Sequence, residues 1–301
     1  MLRPFEYLKP ETLNEACALL GEHRGRARPL AGGTDLLFSM RMGKLAPAVI
    51  VDIKDIPGLD GIDVADDGSM RIGALTRVRD IERSQHIRRH LPALGEAADI
   101  LASVQIRNRA RIGGNLCHAS PGADMPPALI AVDSTAVIAG ADRQRTIALE
   151  DFFIGPGRTV LADDELLIEL RIPRQPAGSG NAFERMTARQ AMDLAVVGVG
   201  VRLTVDRKGA CKEARIALAA VAPTPVRAAE AERYLRGKTL GPQTLRNAAE
   251  LAGQACAPID DVRASAGYRR DMVEVYTRRK LQLALERANA ALAGQDRGKM
   301  A

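Results

Sequence analysis

Two glycine pairs are the residues of this chain whose type and spacing best fit a chemical role. The pair Gly32-Gly33 precedes Thr34, and the pair Gly113-Gly114 precedes Asn115. Glycine has no Cβ, so the backbone at such a step can adopt a positive φ and lie directly against a ligand. Amides exposed in a turn of this kind form a concavity that suits phosphate oxygens. We therefore expect two phosphate-binding turns, and an ordinary tight turn is the alternative for either pair taken alone.

The residues around the first pair strengthen this interpretation. The run 28–31 predicts the end of a strand, and Thr34 is a natural N-cap for a helix that starts at Asp35. A diphosphate at this position would meet free amides at the start of a helix. The carboxylate of Asp35 would repel phosphate, so we expect it to point aside and to accept hydrogen bonds from backbone or a ribose hydroxyl.

The sequence around the two pairs resembles one known family. Neither pair fits Gly-x-Gly-x-x-Gly or the phosphate loop that ends in Gly-Lys-Ser/Thr. Residues 31–36 read AGGTDL and residues 107–124 read RNRARIGGNLCHASPGAD. Together these stretches resemble the FAD-binding medium subunit of the molybdenum hydroxylases, the family of xanthine dehydrogenase and carbon monoxide dehydrogenase. The resemblance extends along nearly the whole chain, with supporting phrases at 151–159, 165–167 and 268–270.

The resemblance implies an α+β protein with the FAD-binding fold of the PCMH/molybdopterin-dehydrogenase type. The sequence pattern agrees with three subdomains and a tail. We predict an N-terminal α/β subdomain over 1–55 and a second FAD subdomain with an antiparallel sheet over 56–176. A C-terminal sheet-and-helix subdomain follows over 177–293, and 294–301 form the tail. The linker rich in proline and glycine at 173–181 is the clearest boundary.

The secondary-structure pattern also predicts particular element ends. We expect one helix that follows Thr12 and ends near Gly21, and another that Thr76 caps and that runs through Ile81. Another helix is expected over 91–103, with Pro92 in its first turn.

The resemblance also assigns residues to the cofactor. The amides of Gly32, Gly33 and Thr34 and those of residues 112–114 would face the diphosphate, and Asn115 would donate and accept hydrogen bonds. The full set is Pro29, Leu30, Ala31, Gly32, Gly33, Thr34, Asp35, Leu36, Leu101, Arg111, Ile112, Gly113, Gly114, Asn115, Asp124, Leu167 and Arg185.

Four of these assignments have structural alternatives. Asp124 would accept hydrogen bonds from sugar or ribityl hydroxyls, and its alternative is to cap a helix. Leu101 and Leu167 would be apolar contacts of the cofactor, and plain core packing is their alternative. Arg185 would lie near the flavin, and the alternative is an exposed surface arginine.

Arg111 departs from the family pattern. Many relatives have serine or threonine immediately before Ile-Gly-Gly, where this chain has Arg111. Losing a hydroxyl donor to a charged oxygen would cost roughly 1.5–3 kcal/mol of cofactor binding. Arginine can instead pair with phosphate as a charged fork. We therefore expect Arg111 to face the diphosphate or the adenosine side of a cofactor that still binds.

The function that the resemblance implies is electron transfer through FAD. A large molybdopterin-binding subunit would oxidise the substrate, and a small subunit with two [2Fe-2S] clusters would pass electrons to FAD in this chain. The acceptor would be NAD, a quinone or O2, and the assembly would be a dimer of heterotrimers. FAD performs the redox chemistry, so no catalytic side chain is required. The alternatives are a flavin-free assembly subunit, favoured by Arg111 alone, and a stand-alone FAD oxidase.

Charge, composition and the distribution of apolar residues indicate whether the chain binds nucleic acid and where it is located. The 301 residues carry a net charge of +6, but only 3% are aromatic and the basic residues are mixed with acids along the chain. We therefore predict no binding to nucleic acid, which needs a basic stripe and stacking aromatics. No apolar run is long enough for a bilayer, and the N-terminus lacks a secretion signal, so we expect a cytoplasmic protein.

Cysteine and histidine spacing predicts no metal site. The four cysteines, Cys17, Cys117, Cys211 and Cys256, form no Cys-x-x-Cys pair and no ferredoxin-like spacing. The four histidines show no metal-binding spacing either. We expect buried free thiols.

Overall fold

The computed structural model describes residues 2–189 and 192–299, the last five of these without their side chains. The chain begins with a three-stranded parallel sheet in which the third strand lies in the middle. Its elements in chain order are β1 (Glu6–Leu8), α1 (Leu13–Glu22), β2 (Ala27–Leu30), α2 (Leu36–Arg41) and β3 (Val49–Asp52). The strand–helix–strand order predicted for this region is confirmed, and the Gly32-Gly33 pair lies in the connection between β2 and α2.

Two threonines that precede helices in this region behave differently. The helix predicted after Thr12 is α1, and the Thr12 hydroxyl caps it by accepting a hydrogen bond from the Glu15 amide. The prediction that Thr34 caps α2 is wrong, because the N-cap is Asp35, and its side chain caps no amide. The Leu37 amide already bonds the Gly33 carbonyl, so Thr34 lies inside the first turn.

The middle of the chain forms a five-stranded antiparallel sheet with helices on it. The strands lie in the order β4-β5-β10-β6-β7, and β8 and β9 form a separate hairpin. The elements are β4 (Ile62–Val64), β5 (Met70–Gly73), α3 (Val78–Arg83), α4 (Gln85–His90), α5 (Pro92–Ile100), α6 (Val104–Arg107), α7 (Ile112–His118), α8 (Met125–Ile130), β6 (Thr135–Ala139), β7 (Gln144–Ala148), a 3-10 turn (Leu149–Phe152), β8 (Phe153–Gly155), β9 (Arg158–Thr159) and β10 (Leu166–Ile172).

Two helix ends here differ from the prediction. Thr76 does not cap α3, because its hydroxyl donates to the Gly61 carbonyl and Arg77 holds the N-cap position. The helix expected over 91–103 ends at Ile100, and a new one-turn helix starts after Ser103, whose hydroxyl accepts from the Ile106 amide. The Ser103 cap therefore starts a separate helix, although the spacing of apolar residues predicts that the preceding helix continues through 103.

The last part of the chain is a four-stranded antiparallel sheet, β11-β12-β13-β14, covered by helices. Its elements are β11 (Ser179–Met186), β12 (Val197–Val205), β13 (Cys211–Ala219), β14 (Val226–Arg227), α9 (Ala229–Leu235), α10 (Pro242–Gln254) and α11 (Ala266–Lys299). A Cβ at Gly180 would lie 2.1 Å from the Ala284 carbonyl oxygen, so the glycine lets α11 lie directly on β11.

The other face of this sheet joins it to the middle of the chain. The Asn181 side chain accepts a hydrogen bond from the Ala93 amide at 2.9 Å, and Glu96 accepts one from the Phe183 amide at 2.7 Å. These bonds fix β11 against α5. The end of β11 is thereby held next to the loop that follows α7.

Candidate functional site

The two glycine-bearing stretches are in direct contact. An ideal Cβ built on Gly32 would lie 2.2 Å from the carbonyl oxygen of Arg109 and 3.0 Å from the Cα of Ala110. A second contact joins the N-cap residue of α2 to the last residue of α7, where Nε2 of His118 lies 3.9 Å from a carboxylate oxygen of Asp35. The N-terminal sheet and the middle of the chain therefore meet at these two stretches.

The first stretch presents a row of free amides. Gly33 adopts a φ of +75°, which glycine tolerates and which turns the chain into α2. The amides of Gly32, Gly33 and Thr34 form no hydrogen bond to any residue that the structure describes, and the three residues are half-buried. Three adjacent, unpaired donors of this kind can bind anionic oxygens. Because α2 is only six residues long, this capacity depends on the amides more than on a helix dipole.

The second stretch is not the turn that the sequence predicts. Gly113 and Gly114 lie in the first turn of α7, and neither has a positive φ. The Ile112 amide donates to the Thr76 carbonyl at 3.0 Å, and the Gly113 amide donates to the Ala74 carbonyl at 2.8 Å. The expectation that both amides face a diphosphate is therefore wrong, because they hold α7 against the sheet.

Gly114 is the residue of this turn that remains open. A Cβ at Gly113 would lie 2.7 Å from the Ala74 Cβ, whereas a Cβ at Gly114 would meet no atom within 4 Å. The Gly114 amide makes no hydrogen bond within 2–189 or 192–299. One donor of the second stretch is thus available beside those of the first.

Arg111 and Asn115 carry buried polar atoms that lack a partner. Nε of Arg111 and Oδ1 of Asn115 are buried and form no hydrogen bond to a described residue. Arg111 also forms no ion pair in the described part of the chain, and burial together with the nearby Arg77 lowers its pKa. An unpaired, half-buried guanidinium is costly unless an anion compensates it.

Asp124 and Arg185 form a buried ion pair. Arg185 donates to Oδ2 of Asp124 at 2.6 Å and to the Ile100 carbonyl at 2.7 Å, and both side chains are 6% exposed. Arg185 is therefore not the exposed surface arginine of the alternative interpretation. Asp124 holds the N-cap position of α8 but caps no amide with its side chain.

The pair leaves one carboxylate oxygen of Asp124 unused. Oδ1 is buried without a hydrogen-bond partner among the described residues. Burial raises the pKa of Asp124, while the charge and hydrogen bond of Arg185 oppose that effect. The free oxygen of Asp124 can accept a hydrogen bond from a ligand hydroxyl.

Comparison with protein families identifies this arrangement. The profile described as FAD binding domain in molybdopterin dehydrogenase matches residues 3–175, and that of the CO dehydrogenase flavoprotein C-terminal domain matches residues 181–284. The chain belongs to the FAD-binding subunits of the molybdenum hydroxylases. Its cofactor is FAD, and it is a subunit of an oxidoreductase complex.

Individual relatives agree with this family assignment. The carbon monoxide dehydrogenase medium chain of Hydrogenophaga pseudoflava is 37% identical over 286 residues, which cover 94% of this chain and 98% of the relative. The xanthine dehydrogenase FAD-binding subunit of Escherichia coli O157:H7 is 34% identical over 287 residues, covering 95% and 98%.

Solved structures agree as well. A structure of carbon monoxide dehydrogenase from Hydrogenophaga pseudoflava superposes with a TM-score of 0.91 at 37% identity, covering 95% of this chain and 99% of the other. Quinoline 2-oxidoreductase from Pseudomonas putida 86 gives 0.87 at 29% identity, covering 97% and 99%. The α+β architecture of the molybdopterin-dehydrogenase type is therefore confirmed.

The remaining predicted residues of this FAD subunit lie around the same contact or behind it. Pro29 is exposed at the end of β2, while Leu30, Ala31 and Leu36 are half-buried next to the amide row. Leu101 and Leu167 are 8% and 5% exposed and belong to the apolar core of the middle region. This position agrees with core packing, the alternative to a role as apolar contacts of the cofactor.

Sequence reasoning missed two contributions to the site. Arg77 forms a β-bridge with Arg111, so two arginines lie together at the start of α7. The Arg109 backbone forms the surface on which Gly32 packs. Arg77 belongs to no glycine motif and lies far from Arg111 in the chain, so spacing offers no way to find it.

The cysteines are largely as predicted. Cys17, Cys211 and Cys256 are buried free thiols, and Cys117 is half-buried. Burial raises the pKa of Cys117 and of Cys256 to about 12, which keeps both protonated. In the part of the chain that the structure describes, no helix is both long and apolar enough to cross a membrane.

Proposed function

We propose that this FAD subunit is the electron-transferring member of a cytoplasmic heterotrimer that assembles as a dimer of heterotrimers. In this proposal a large molybdopterin-binding subunit oxidises the substrate. A small subunit with two [2Fe-2S] clusters carries the electrons to this chain. We also propose the subdomain division 1–55, 56–176 and 177–293, with FAD between the first two subdomains.

The row of unpaired amides beside the unpaired polar atoms of α7 carries this proposal. The amides of Gly32, Gly33, Thr34 and Gly114 would hold the diphosphate, with Arg111 as the neutralising charge. None of these four amides, nor Nε of Arg111, has a hydrogen-bond partner among the described residues, so FAD could bind to them without breaking a hydrogen bond between described residues.

A second group of residues would hold the sugar-alcohol part of the cofactor. Oδ1 of Asn115 and Oδ1 of Asp124 are buried acceptors that a ligand hydroxyl would satisfy. Arg185 would fix the orientation of Asp124 through the opposite oxygen. When bound, FAD accepts electrons singly and delivers them singly or in pairs.

In such a complex the partner subunits would recognise the substrate. Relatives between 31% and 37% identical carry names as different as carbon monoxide, nicotinate and nicotine enzymes. A subunit shared by such different reactions does not need to recognise the substrate. NAD, a quinone and O2 are the candidate acceptors.

The test is purification of the chain together with its partner subunits, followed by a visible spectrum and by FAD quantification. We expect about one FAD for each copy of this chain, released intact on denaturation. A colourless complex would instead support the flavin-free assembly subunit. Reduction of O2 by this chain without partners, with an organic substrate as the electron donor that is oxidised, would support the stand-alone oxidase.

The residue assignment needs its own measurement. Asn115→Leu keeps the volume near Oδ1 but removes the acceptor, so we expect weaker FAD binding without loss of the fold. Asn108→Leu is the control, since Asn108 is exposed on the same segment. Equal FAD affinity in the two variants would contradict the role of Asn115.

A further inference from the structure

Arg77 lies directly opposite Arg111, although it belongs to neither glycine-bearing stretch. The two residues form an isolated antiparallel bridge, and the hydrogen bonds of the Val78 and Ile112 amides, both 3.0 Å long, flank it. In such a pair the Cα atoms are about 4.5 Å apart, and both side chains extend from the same face. The backbone therefore starts two arginine side chains next to each other.

Neither arginine has a counter-charge in the part of the chain that the structure describes. Arg77 is exposed, and its side chain forms no hydrogen bond or ion pair there. Nε of Arg111 is buried and also has no partner. Like charges directly opposite each other on paired strands are destabilising, so the pair costs stability unless an anion compensates it.

The charges around the pair do not neutralise it. Burial is the main cause that lowers the pKa of Arg111, and the charge of Arg77 is the next, ahead of the opposing effects of Asp80 and Asp60. Both aspartates are exposed, and neither forms an ion pair with Arg77 or Arg111. Arg109, two residues before Arg111, adds further positive charge. The start of α7 thus has a local excess of positive charge.

The pair borders the row of free amides. Arg111 lies two residues after Arg109, whose carbonyl oxygen is the atom on which Gly32 packs. The amide of Gly114, three residues after Arg111, has no hydrogen-bond partner among the described residues. A diphosphate held by these amides would carry two negative charges, of which Arg111 alone would compensate one.

We propose that Arg77 and Arg111 form a two-arginine clamp for the diphosphate of FAD, in which Arg77 supplies the second positive charge. Each guanidinium can pair with a separate phosphoryl group, so the clamp would recognise two linked phosphoryl groups better than one. The inference rests on the proposed function, since it names a further residue of that cofactor site.

An acidic side chain of a partner subunit is the alternative occupant. It would satisfy Arg77, which is exposed, but it would also have to reach Arg111, whose Nε is buried. A small anion reaches a buried atom beside free amides more easily than a side chain carried on a folded surface does. The diphosphate is therefore the better counter-charge for the pair.

The experiment uses the full-length chain freed of FAD. The parent is compared with Arg77→Gln, which removes the charge, and with Arg77→Glu, which reverses it and would pair with Arg111. Arg83→Gln is the matched control, because Arg83 is exposed at the end of α3 and its side chain also lacks a partner among the described residues.

Four quantities are measured for each protein. FAD affinity is titrated at low and at high salt, with inorganic pyrophosphate or phosphate as competitor. Calorimetry measures pyrophosphate binding without FAD, and thermal denaturation measures the stability of the FAD-free chain. The same variants are produced with the partner subunits to record whether the complex assembles.

We expect the Kd for FAD at low salt to rise about tenfold in Arg77→Gln, the low end of the range for a hydrogen bond between charged groups, and further in Arg77→Glu. Because Arg77 is exposed, the difference from the parent should shrink as the salt concentration rises. Pyrophosphate should displace FAD from the parent better than phosphate does, and this preference should decrease in both variants. Arg83→Gln should behave as the parent.

The FAD-free chain should respond in the opposite direction. Removing one of two facing like charges relieves their repulsion, so both Arg77 variants should melt at or above the parent temperature when FAD is absent. A residue that only supports the fold would lower the melting temperature and the FAD affinity together.

Parent-like FAD affinity in Arg77→Glu would overturn the inference. A lower melting temperature of the FAD-free variants would also overturn it, because Arg77 would then support the fold. Loss of partner subunits at unchanged FAD affinity would assign Arg77 to a subunit interface instead. A parent chain that binds no FAD would refute the proposed function, whereas pyrophosphate binding by the parent and by Arg77→Glu would still decide whether the two arginines hold a diphosphate.

Discussion

Gly32 packs on the backbone of Arg109 so closely that the two glycine-bearing stretches form one surface. The φ of Gly32 is not positive, so the requirement for glycine here is spatial. The carbonyl oxygen of Arg109 occupies the space that a Cβ at position 32 would need. This contact aligns the amide row of the first stretch with Arg111, Gly114 and Asn115 of the second.

Replacing Gly32 with alanine should therefore separate the two stretches. The added Cβ would lie 2.2 Å from a backbone oxygen, which cannot move as a flexible side chain can. We expect a loss of about 1–3 kcal/mol in unfolding free energy, typical of overpacking, together with loss of bound FAD. Thermal denaturation and FAD content measure the two effects. Gly241→Ala is the control, because its Cβ would meet no atom within 4 Å and its φ is −116°. Parent-like FAD binding by Gly32→Ala would contradict the spatial argument.

Gly114→Ala should uncouple stability from cofactor binding. Gly114 is helical and its Cβ would point into open space, so alanine should leave the fold intact or stabilise it by up to about 1 kcal/mol. The same methyl group would enter the space beside the free amides, and FAD affinity should fall. A melting temperature at or above the parent value with weaker FAD binding is the expected combination. Unchanged affinity would show that Gly114 faces away from FAD.

Arg111→Ala should weaken FAD binding. The guanidinium is half-buried without an ion-pair partner among the described residues, so pairing with the diphosphate would supply its missing counter-charge. Loss of a charged hydrogen bond of about 1.5–3 kcal/mol corresponds to a Kd roughly 10–150 times higher. Titration of the FAD-free protein with FAD measures the change. Arg89→Ala removes an exposed positive charge and should leave the Kd near the parent value. If the two variants bound FAD equally well, Arg111 would have no role in holding it.

The sequence predicted the parts of this structure that depend on local chemistry. The strand–helix–strand order of the first region and the helix after Thr12 follow from the periodicity of apolar residues. The family resemblance supplied the overall architecture and the cofactor. The local elements follow from short stretches, whereas the resemblance depends on two glycine motifs and on supporting phrases along nearly the whole chain.

The predictions that failed concern residues whose conformation and partners depend on tertiary contacts. Gly113 looks like a turn residue, yet it is helical and glycine because the Ala74 backbone lies against it. Thr76 looks like a cap, yet its hydroxyl bonds the Gly61 carbonyl on a neighbouring segment. Arg185 could be placed near Asp124 only by knowing that β11 lies beside α5 and α8. None of these partners lies within reach along the sequence.

Variants of the Asp124–Arg185 pair should distinguish the contribution of the pair to stability from its contribution to FAD binding. Removing one partner of a buried ion pair leaves an uncompensated charge and costs about 3–5 kcal/mol, so Arg185→Met should be strongly destabilising. In Asp124→Asn/Arg185→Met both charges are absent, and we expect most of the stability to return. FAD affinity should remain low in the double variant, because the asparagine is no longer oriented by Arg185. Chemical denaturation and FAD titration are the two measurements, and full recovery of FAD affinity in the double variant would contradict the positioning role of Arg185.

Because of Glu165, the free energy of unfolding should depend on pH in the acid range. The hydrogen bond from Arg145, at 2.8 Å, is the main cause that lowers the pKa of Glu165 from 4.5 to about 2, and the Ala162 amide adds to it. Because the folded-state pKa is lowered, the stabilisation is complete above the unfolded pKa and is lost as pH falls towards 2. The shift corresponds to about 3 kcal/mol. Glu165→Gln should therefore be less stable at pH 7 by up to that amount, and the difference from the parent should shrink between pH 5 and pH 2. Urea denaturation at several pH values measures this difference in stability.

Glu150→Gln is the control, since Glu150 is more exposed and its pairing with Arg227 should contribute little. A difference between parent and Glu165→Gln that stays constant from pH 7 to pH 2 would show that the carboxylate charge is not what stabilises this corner of the sheet.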